Sequence, residues 1–538
     1  MRSRTELLLL VACCGFLLFY GLGAFGMLGA DEPRYAQVAR EMLDRGDWIT
    51  PTLNGKPWLE KPPLYYWQAM LTYRVGRALG SGNAGVSEQT ARLPGAIDAA
   101  IMIAAIYFFL RRLRPGTELD AALITASCAG VIGFAHAAST DMPLAATFTI
   151  ALLAWYAWYE RRRQVNLAIF YLFLGFGALA KGPVAPALAG VIILLFAAAK
   201  RDWTVVFRTL WIPGIALFLA IALPWYVAVQ VRNPDFFRIF ILEHNLARFS
   251  TNVYHHPQPV WFYLPVFLLA ATPWMLWLIV AIIERVRAIS SERREASASP
   301  DDSWPLFLIL WLLVPIFFFS AAQSKLPGYI LPSVPAAALL VAEYLALRRG
   351  QKAKISWPLA IAHGLLCGLL IFAALSVASV ALNRHLTLGQ GTYIAATIAG
   401  VFALGISGAL ATRFGSQLLR STTMIAVIVS VAAVIRLAAP VIDATQSSRP
   451  VAQIIQDFSH ERMPVALYHV SRVQQYGLDF YLNRPTQQYD DAQVPSEAHL
   501  LVAHPNTQPE FSALIPGRKV SYLTSVPAQK WALYWVSK

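Results

Sequence analysis

The chain is long, apolar and basic, and these properties exclude most classes of soluble protein. It has 538 residues, of which 57% are hydrophobic and 14% charged, and its formal net charge is +14. This composition is too apolar for an ordinary soluble enzyme, so the chain is predicted to lie in a membrane. The positive charge alone would suggest nucleic acid, but the basic residues sit on alternate loops between apolar runs. That distribution is typical of a membrane protein.

Apolar runs long enough to cross a membrane recur along the chain. A helix needs roughly 20 residues to span a hydrocarbon core of about 30 Å, and by that criterion we find about thirteen spans. They lie near 7–28, 92–112, 119–138, 142–159, 165–181, 183–199, 209–231, 260–285, 304–321, 328–347, 355–382, 391–412 and 420–440. The first run has basic residues before it, as a secretory signal does, but no small-residue cleavage site leads into a soluble domain, so we interpret it as a span. The four cysteines all fall within these runs, which suggests neither disulfides nor a zinc knuckle.

Arginine and lysine clusters indicate which face of the membrane is cytoplasmic. They follow alternate spans, beginning with the second, as at Arg111, Arg161 and Arg348. By the positive-inside rule these loops and the amino terminus are inside. An odd number of spans then places the carboxyl end outside, together with the loops at 29–91, around 140, at 232–259 and at 322–328.

The longest polar segment in the first half runs from Asp31 to Trp67. Its charged and aromatic residues are too dense for a lipid-facing helix and too rich in proline and tryptophan for a flexible tether, so we predict ordered structure at the membrane surface. Two groups stand out: Asp31, Glu32, Arg34 and Tyr35, directly after an apolar run, and Glu60 with Lys61, directly before two prolines. Carboxylates, a guanidinium, a phenol and an amine are suited to an anionic substrate beside lipid.

Two further outer positions allow two interpretations each. Asp141 precedes a proline at a helix start, where an acid is either an N-terminal cap and dipole partner or a functional group. Lys181 ends the fifth span, and the simplest interpretation is an ammonium group that extends to the interface.

Two outer segments later in the chain are also rich in polar residues. In the 232–259 loop, His244 and Arg248 are four residues apart, so they share a face of a short amphipathic helix that is either functional or merely solvated. In the 322–328 turn, Lys325 and Tyr329 flank a Pro-Gly hinge, where they either anchor the chain at the interface or close over a ligand.

The character of the chain changes after Pro440. Hydrophobic runs shorten, and segments such as 465–470 and 500–503 alternate with turn residues. We predict a transmembrane domain over 1–441 and a small mixed α/β domain over 442–538, opened by a helix at 451–458. That domain shows no glycine-rich phosphate loop, metal-ligand cysteine spacing or nucleophile elbow.

An outer-face site restricts the chemistry, because nucleotides are cytoplasmic. An activated compound that has already crossed the membrane is required, and a polyprenyl-phosphate sugar meets this constraint. Arginine and lysine suit its phosphate. Transfer then needs a positioned acceptor, a base where the acceptor is a hydroxyl, and cations or a metal for the departing phosphate. Asp31 lies at the mouth of a span and is suited to the role of base or acceptor-orienting group.

Several motifs resemble one family. The segments ADEPRYAQVAREML, GDWITPTLNGKPWLEKPPLYYW, EHNLARFS, HHPQPVWFYLP and SKLPGYILP are similar to the bacterial lipid A aminoarabinose transferases. That family sits within the protein O-mannosyltransferase-like, GT-C-type glycosyltransferases. The layout of about thirteen spans followed by a small periplasmic domain resembles it as well. The first two motifs together cover some thirty-five residues, which makes the resemblance specific.

The resemblance implies a role for each of ten residues. Asp31 is implied as the principal catalytic carboxylate and Asp141 as a second essential acid. The substrate and the carrier phosphate are expected at Arg34, Tyr35, Lys61, Arg248, Lys325 and Tyr329. Glu60 and His244 match positions where the family can hold a divalent metal, although two protein ligands alone do not define a metal site. No nucleotide cofactor is expected.

The resemblance also implies the reaction. The chain is expected to move a sugar, most specifically 4-amino-4-deoxy-L-arabinose, from undecaprenyl phosphate to a lipid A phosphate with inversion, at the periplasmic face of the bacterial inner membrane. A related transferase for another sugar, or for a protein or glycan hydroxyl, is the alternative.

Two other classes of protein are less consistent with the sequence. A secondary transporter would show repeated halves and buried acids or bases in mid-span, whereas the ionisable residues here cluster at one face. A structural or assembly protein would not need acids, lysines and histidines gathered on the same side of the membrane.

Overall fold

The computed structural model describes residues 2–80, 85–247, 258–292, 303–351, 353–382, 388–458, 463–489 and 494–537. Its helices up to residue 247 are α1 (Arg2–Cys14), α2 (Asp31–Arg45), α3 (Leu64–Ala78), α4 (Glu88–Leu113), α5 (Glu118–Ser127), α6 (Ala129–Ala135), α7 (Asp141–Arg161), α8 (Gln164–Lys181), α9 (Val184–Lys200), α10 (Thr204–Thr209) and α11 (Ile212–Arg232). A π-helical turn at Gly15–Phe19 extends α1, and a π-helix covers Phe237–Ala247.

The later helices are α12 (Tyr263–Ala270), α13 (Met275–Glu292), α14 (Trp304–Ala321), α15 (Val334–Gly350), α16 (Trp357–Leu382), α17 (Leu388–Leu410), α18 (Gly415–Ala433), α19 (Ala439–Gln446), α20 (Arg449–Phe458), α21 (Arg472–Leu482) and α22 (Gln508–Leu514). Short 3-10 helices cover Val260–Phe262 and Pro327–Ser333, and a π-helical turn at Val434–Ala438 joins α18 to α19.

The predicted helical membrane fold is confirmed. In the described part of the chain, nine helices are long and apolar enough to span a membrane, and two bent helix pairs raise the number to eleven. α9 is shorter and also apolar. The most buried span is α7, with 94% of its most apolar stretch inside the protein, against 33% for α17. The bundle therefore packs around α7, which begins at Asp141.

Two predicted spans are not straight helices. The run at 119–138 is bent by 64° between α5 and α6, and the run at 260–285 by 111° between the helices on either side of residues 271–274. Cys128 is extended at the first break, and Pro273, which has no N–H to donate, lies in the second. The two breaks meet, because the Ala129 N–H donates to the Thr272 carbonyl at 2.9 Å. The backbone N–H at the first break and the backbone carbonyl at the second therefore satisfy each other in place of partners within their own helices.

The first predicted span, at 7–28, is wrong at its carboxyl end. The helix stops at Phe19, and Tyr20 is extended. The segment that follows is a loop with positive φ at Gly21 and Gly29. Three of its carbonyls, those of Leu22, Phe25 and Gly26, accept hydrogen bonds from Arg92. An apolar segment therefore stays non-helical because a buried side chain replaces the helical donors.

The expectation that no buried acid or base lies in mid-span is wrong at His363, and Asp120 is a further buried acid near the end of a span. His363 in α16 is fully buried, accepts a hydrogen bond from Trp277 Nε1 at 3.0 Å, and lies 2.8 Å from the Thr423 hydroxyl. Asp120 in α5 is paired with Arg349 and with Arg420. Each group links helices that are distant in sequence, so these residues stabilise the bundle and do not line a transport path.

A small layer, which the predicted topology places on the outer side, covers one end of the spans. It contains α2, the hairpin of strands β1 (Thr52–Leu53) and β2 (Lys56–Pro57), and α3. α2 begins with two acids, Asp31 and Glu32, which the helix dipole favours, and ends at Gly46 in the left-handed conformation. The prediction that the segment from Asp31 to Trp67 is ordered is confirmed.

The carboxyl-terminal region contains a five-stranded mixed sheet in the order β4-β3-β5-β7-β6. The strands are β3 (Val465–Tyr468), β4 (Gln487–Gln488), β5 (His499–Ala503), β6 (Val520–Val526) and β7 (Trp531–Val536). β3 is parallel to β4 and β5, whereas β7 is antiparallel to β5 and β6. The predicted mixed α/β character and the strands near 465–470 and 500–503 are confirmed.

Candidate active site

The first turn of α2 carries an acid and a guanidinium that pair with each other. The Arg34 side chain contacts the Asp31 carboxylate, and 48% of the Asp31 side chain is exposed against 16% for Arg34. The Arg34 guanidinium lies 4.8 Å from the ring centre of Trp58, 5.4 Å from that of Tyr476 and 5.5 Å from that of Tyr35. The aromatic rings therefore fix the cation, while the acid remains accessible to a substrate.

Electrostatic interactions connect this turn to the second predicted group, at Glu60. Burial would lower the pKa of Arg34, but Tyr35, Asp31 and Glu60 together raise it above its usual range. Burial, followed by the Asp31 charge, raises the pKa of Tyr35 well above its ordinary value. Arg34 is therefore a permanent cation, and the Tyr35 phenol keeps its proton. Asp31 and Glu60 lie close enough to affect the same two groups, as predicted from their motifs.

A cavity of about 350 Å³ opens beside Glu60. Its polar wall contains Glu60, Lys61, Lys181, His244, Ser324 and Tyr329. Its apolar wall comes from spanning helices and from the 237–247 segment, including Val184, Ala187, Phe240, Phe318 and Phe319. Two ammonium groups therefore face a space whose other side is hydrocarbon, which suits a phosphate attached to a lipid chain.

Asp141 adjoins this cavity through Lys181. The Lys181 ammonium contacts the Asp141 carboxylate and lies 4.5 Å from the centre of the Tyr329 ring. Gly328 packs directly against Asp141, since a Cβ at that position would come within 2.6 Å of the carboxylate carbon. Thr140 is the N-cap of α7 and Asp141 is the first helical residue, so Asp141 does not cap the helix, but it does lie in the first turn, where the helix dipole favours an acid. The simple interface interpretation of Lys181 is wrong, because its side chain is only 11% exposed and its ammonium pairs with an acid.

Two residues of the predicted groups take other positions, and a third lies outside the described residues. Lys325 is buried and donates to the carbonyls of Ala322 at 2.5 Å and Gln258 at 3.2 Å, so in this structure it contacts backbone. The neighbouring Ser324 lines the cavity instead. Arg248 lies outside the described residues. Glu32 faces away from the cavity and binds Arg92, with side-chain nitrogens 2.9 and 3.0 Å from its carboxylate oxygens.

Glu32 binds the backbone just before Asp31 and just before Asp141. Its carboxylate accepts from the Leu28 N–H, just before Asp31, and from the Ala138 N–H, just before Asp141, both at 2.8 Å.

Lys181 and Arg92 were not identified as site or support residues from the sequence. The available signal was a charge at or within an apolar run, which is costly unless it is paired.

Glu60 and His244 suit a divalent metal only in part. The His244 Nε2 lies 3.8 Å from a Glu60 carboxylate oxygen, and both side chains line the cavity. A nitrogen and a carboxylate oxygen are appropriate ligands, but catalytic zinc sites use three protein ligands. Among the described residues, no group of three or more His, Cys, Asp or Glu side chains is placed to hold a metal. Metal binding at this pair stays a prediction.

For the sugar transfer that the motifs predict, we expect Lys181→Gln to lower turnover by about 10²–10³-fold, the scale of losing a donor at a site of developing charge. The variant leaves Asp141 without its cation and removes one of the two ammonium groups in the cavity wall. Turnover at saturating donor is the measurement. Lys200→Gln, at the far end of the neighbouring helix α9, is the matched control and should behave as the natural chain. Equal rates for the two variants would remove Lys181 from the site.

The fold is that of a polytopic helical membrane protein with a small carboxyl-terminal mixed α/β domain. Residues 60–227 match a family model described as "Dolichyl-phosphate-mannose-protein mannosyltransferase". The structure is similar over 98% of its length to the crystal structure of ArnT from Cupriavidus metallidurans bound to undecaprenyl phosphate, with a TM-score of 0.76, 22% identity and 97% of that chain covered. The apo structure of the same protein gives a TM-score of 0.74 over 100% of this chain and 98% of that one.

The sequence is also similar to curated bacterial transferases. It is 34% identical over 357 residues to the undecaprenyl phosphate-alpha-4-amino-4-deoxy-L-arabinose arabinosyl transferase of Pseudomonas aeruginosa strain UCBPP-PA14, which is 64% of this chain and 60% of that relative. The corresponding protein of Pseudomonas savastanoi pv. phaseolicola is 33% identical over 66% of this chain and 64% of its own length. The match thus spans about three fifths of these relatives. The resemblance to the aminoarabinose transferases predicted from the sequence is confirmed.

Proposed function

We propose that this chain is an inverting glycosyltransferase that moves 4-amino-4-deoxy-L-arabinose from undecaprenyl phosphate to a lipid A phosphate, at the periplasmic face of the inner membrane. One observation carries the proposal: the cavity beside Glu60 combines the ammonium groups of Lys61 and Lys181 with apolar walls from spanning helices. A lipid phosphate needs both kinds of surface within a few ångströms. The similarity to transferases named for this donor supports the particular sugar.

The chain's own groups are suited to the two halves of such a transfer. The acceptor oxygen attacks the anomeric carbon on the face opposite the carrier, the carbon–oxygen bond to the carrier phosphate breaks, and the phosphate leaves with the bonding electrons. Lys61 and Lys181 stabilise the charge that develops on that phosphate. Asp31, held beside Arg34, removes the proton that a singly ionised acceptor phosphate still carries, or the proton of a hydroxyl acceptor. A divalent ion at Glu60 and His244 would supply further positive charge.

A second cavity supports a lipid acceptor. It measures about 710 Å³ and lies on the Glu32 side of α2, between the two bent helix pairs and the helices around 370–377 and 427–442. Its lining is apolar apart from a few groups that include Glu32 and His136. The first turn of α2 therefore has lipid-compatible space on both sides, which is appropriate for an enzyme whose donor and acceptor both carry hydrocarbon chains.

The test is a transfer assay with purified protein, polyprenyl-phosphate aminoarabinose and lipid A. Release of the free carrier phosphate together with a lipid A phosphate that has gained the sugar, seen by mass spectrometry, is the expected result. Carrier release only with a hydroxyl acceptor, or only with another sugar, would replace the proposed substrate with the related transferase activity. Movement of the intact donor across vesicles without bond cleavage would indicate a transporter and refute the proposal.

We expect Lys61→Met to weaken donor binding about tenfold or more, because a charge-assisted contact to phosphate contributes about 1.5–3 kcal/mol. The measurement is the donor concentration needed for half-maximal transfer, which should rise while turnover at saturation changes less. Lys56→Met is the matched control, since Lys56 is exposed in the same outer layer and does not line the cavity. An unchanged donor requirement would show that Lys61 does not bind the phosphate.

A further inference from the structure

We propose that the carboxyl-terminal domain is a working part of this site, with Tyr476 and Tyr481 of α21 as positioning residues for Arg34 and for the loop that precedes Asp31. The sequence offers no role for this domain. The proposal rests on the proposed function only for its activity readout, because the contacts that carry it are independent of the substrate.

Tyr476 completes the aromatic surround of Arg34. Its ring centre lies 5.4 Å from the guanidinium carbon, while Tyr35 and Trp58 occupy the other sides. Tyr35 and Trp58 belong to the outer layer that contains α2, whereas Tyr476 comes from a helix more than 400 residues later in the chain. Since Arg34 contacts Asp31, this ring limits the positions that the cation, and with it the acid, can adopt.

Tyr481 holds the loop that leads into α2. Its hydroxyl accepts a hydrogen bond from the Met27 N–H at 2.8 Å and donates to Glu88 at 2.8 Å. Asp443 accepts from the Gly26 N–H at 2.9 Å, and Arg449 pairs with both Asp443 and Glu88. These two backbone donors are thus satisfied by side chains from the last hundred residues of the chain.

The close approach of this loop to the domain depends on Gly26. A Cβ at that position would collide with the Ser447 hydroxyl, with Tyr481 and with Asp443. The loop and the domain therefore fit together without room for a side chain between them. This fit requires a defined position of the domain relative to the loop, as expected of an integral part of the site.

The same helix also contacts the far end of α2. Arg40 donates to the Phe480 carbonyl at 2.8 Å and to the Asn483 side chain at 3.0 Å. Asp479 accepts from Asn54 of the β1–β2 turn at 3.1 Å. Residues 476, 479, 480 and 481 of one helix therefore reach, in that order, Arg34, the β1–β2 turn, Arg40 and the loop before Asp31. A rigid element that touches both ends of α2 is well suited to fix the direction of the Asp31 carboxylate.

The first test compares Tyr476→Ala with Tyr476→Phe in the full-length protein. We expect Tyr476→Ala to lower kcat about tenfold, within the range of a lost cation–π contact in a desolvated site, with a smaller change in the donor KM. Tyr476→Phe keeps the ring and should restore kcat, and the unfolding temperature of both should match that of Tyr522→Ala, an exposed tyrosine of the same domain. If Tyr476→Ala had the same kcat as the natural chain, or if Tyr476→Phe lost as much kcat as Tyr476→Ala, the ring would not be what positions Arg34.

The second test does not depend on activity. Tyr481→Phe removes the acceptor of the Met27 N–H, so hydrogen–deuterium exchange of peptides covering 22–36 should speed up at least severalfold relative to the natural chain and to Tyr522→Ala. Unchanged hydrogen–deuterium exchange would show that Tyr481 does not hold this loop. If the natural protein transfers no sugar to any acceptor, the proposed function fails, while this measurement still decides whether the domain holds the loop.

Discussion

We expect the Asp31→Asn variant to transfer sugar about 10²–10⁴ times more slowly than the natural chain, the range that a lost acid–base group usually costs. Asparagine keeps the shape of the side chain but neither accepts a proton nor attracts Arg34 as an anion does. Transfer from the polyprenyl-phosphate donor to lipid A, followed as modified lipid A by mass spectrometry, is the measurement. Donor binding should change little, because Lys61 and Lys181, and not Asp31, line the phosphate cavity.

The Asp31→Asn variant should fold normally, since other residues hold α2 in place. Glu32 is tied to Arg92 and to two backbone N–H groups, and Arg40 is tied to the carboxyl-terminal domain. Asp44→Asn is a matched control on the same helix, because Asp44 is exposed and pairs only with Arg77 among the ion pairs that the structure describes. Natural turnover in Asp31→Asn would rule out the catalytic assignment, and equal losses in the two variants would point to the helix and not to the acid.

Much of the site could be predicted because its residues are chemically unusual for their surroundings. Asp31, Arg34, Glu60 and Lys61 occur in a polar segment between apolar runs, and a membrane chain keeps such residues only where they have partners or ligands. All four lie on one predicted loop, so they were expected at one face of the membrane. The structure agrees, because Arg34 and Tyr35 lie within electrostatic reach of both Asp31 and Glu60.

The residues that sequence reasoning missed are those whose partners are distant in the chain. Lys181 is the last residue of an apolar helix, which is also what an interface anchor looks like. Only the structure places it against Asp141, forty positions away. Arg92 was counted within a span, and its partners are three carbonyls and an acid some sixty to seventy positions earlier. Hydropathy along the sequence cannot show that a cation donates hydrogen bonds to carbonyls in place of helical N–H groups.

The bends in the spans were not predictable for a related reason. The runs at 119–138 and 260–285 are apolar along most of their length, including at the breaks, so hydropathy treats each as one helix. Each break is tolerated because it lies against the other, with the Ala129 N–H donating to Thr272. Non-helical backbone inside a membrane is allowed only where protein satisfies it, and that condition depends on the fold and not on the run itself. The same breaks line the second cavity, so the irregular backbone also creates lipid-sized space beside α2.

These observations make Arg92 the residue on which the positions of both acids depend. Its side chain is fully buried and makes five hydrogen bonds, three to the loop before α2 and two to Glu32. Glu32 in turn holds the N–H groups that precede Asp31 and Asp141. Removing the guanidinium therefore loosens two segments of the site that are a hundred residues apart in sequence.

We expect Arg92→Met to destabilise the protein by about 3–5 kcal/mol, the usual cost of deleting one partner of a buried ion pair, and to abolish transfer. The Glu32 charge would remain buried without its cation, and three carbonyls would lose their donors. Arg92→Lys should also fail, since one ammonium group cannot reach five acceptors arranged around a planar guanidinium. The unfolding temperature in detergent and the yield of monodisperse protein are the measurements. Arg112→Met, at the exposed far end of the same helix, controls for loss of charge.

The double variant Glu32→Gln with Arg92→Met should recover part of the lost stability, because it removes the unpaired charge. It should not recover the activity, because Asp31 and Asp141 still lack their common support. A stable and active Arg92→Met protein would mean that the two acids are positioned by other contacts.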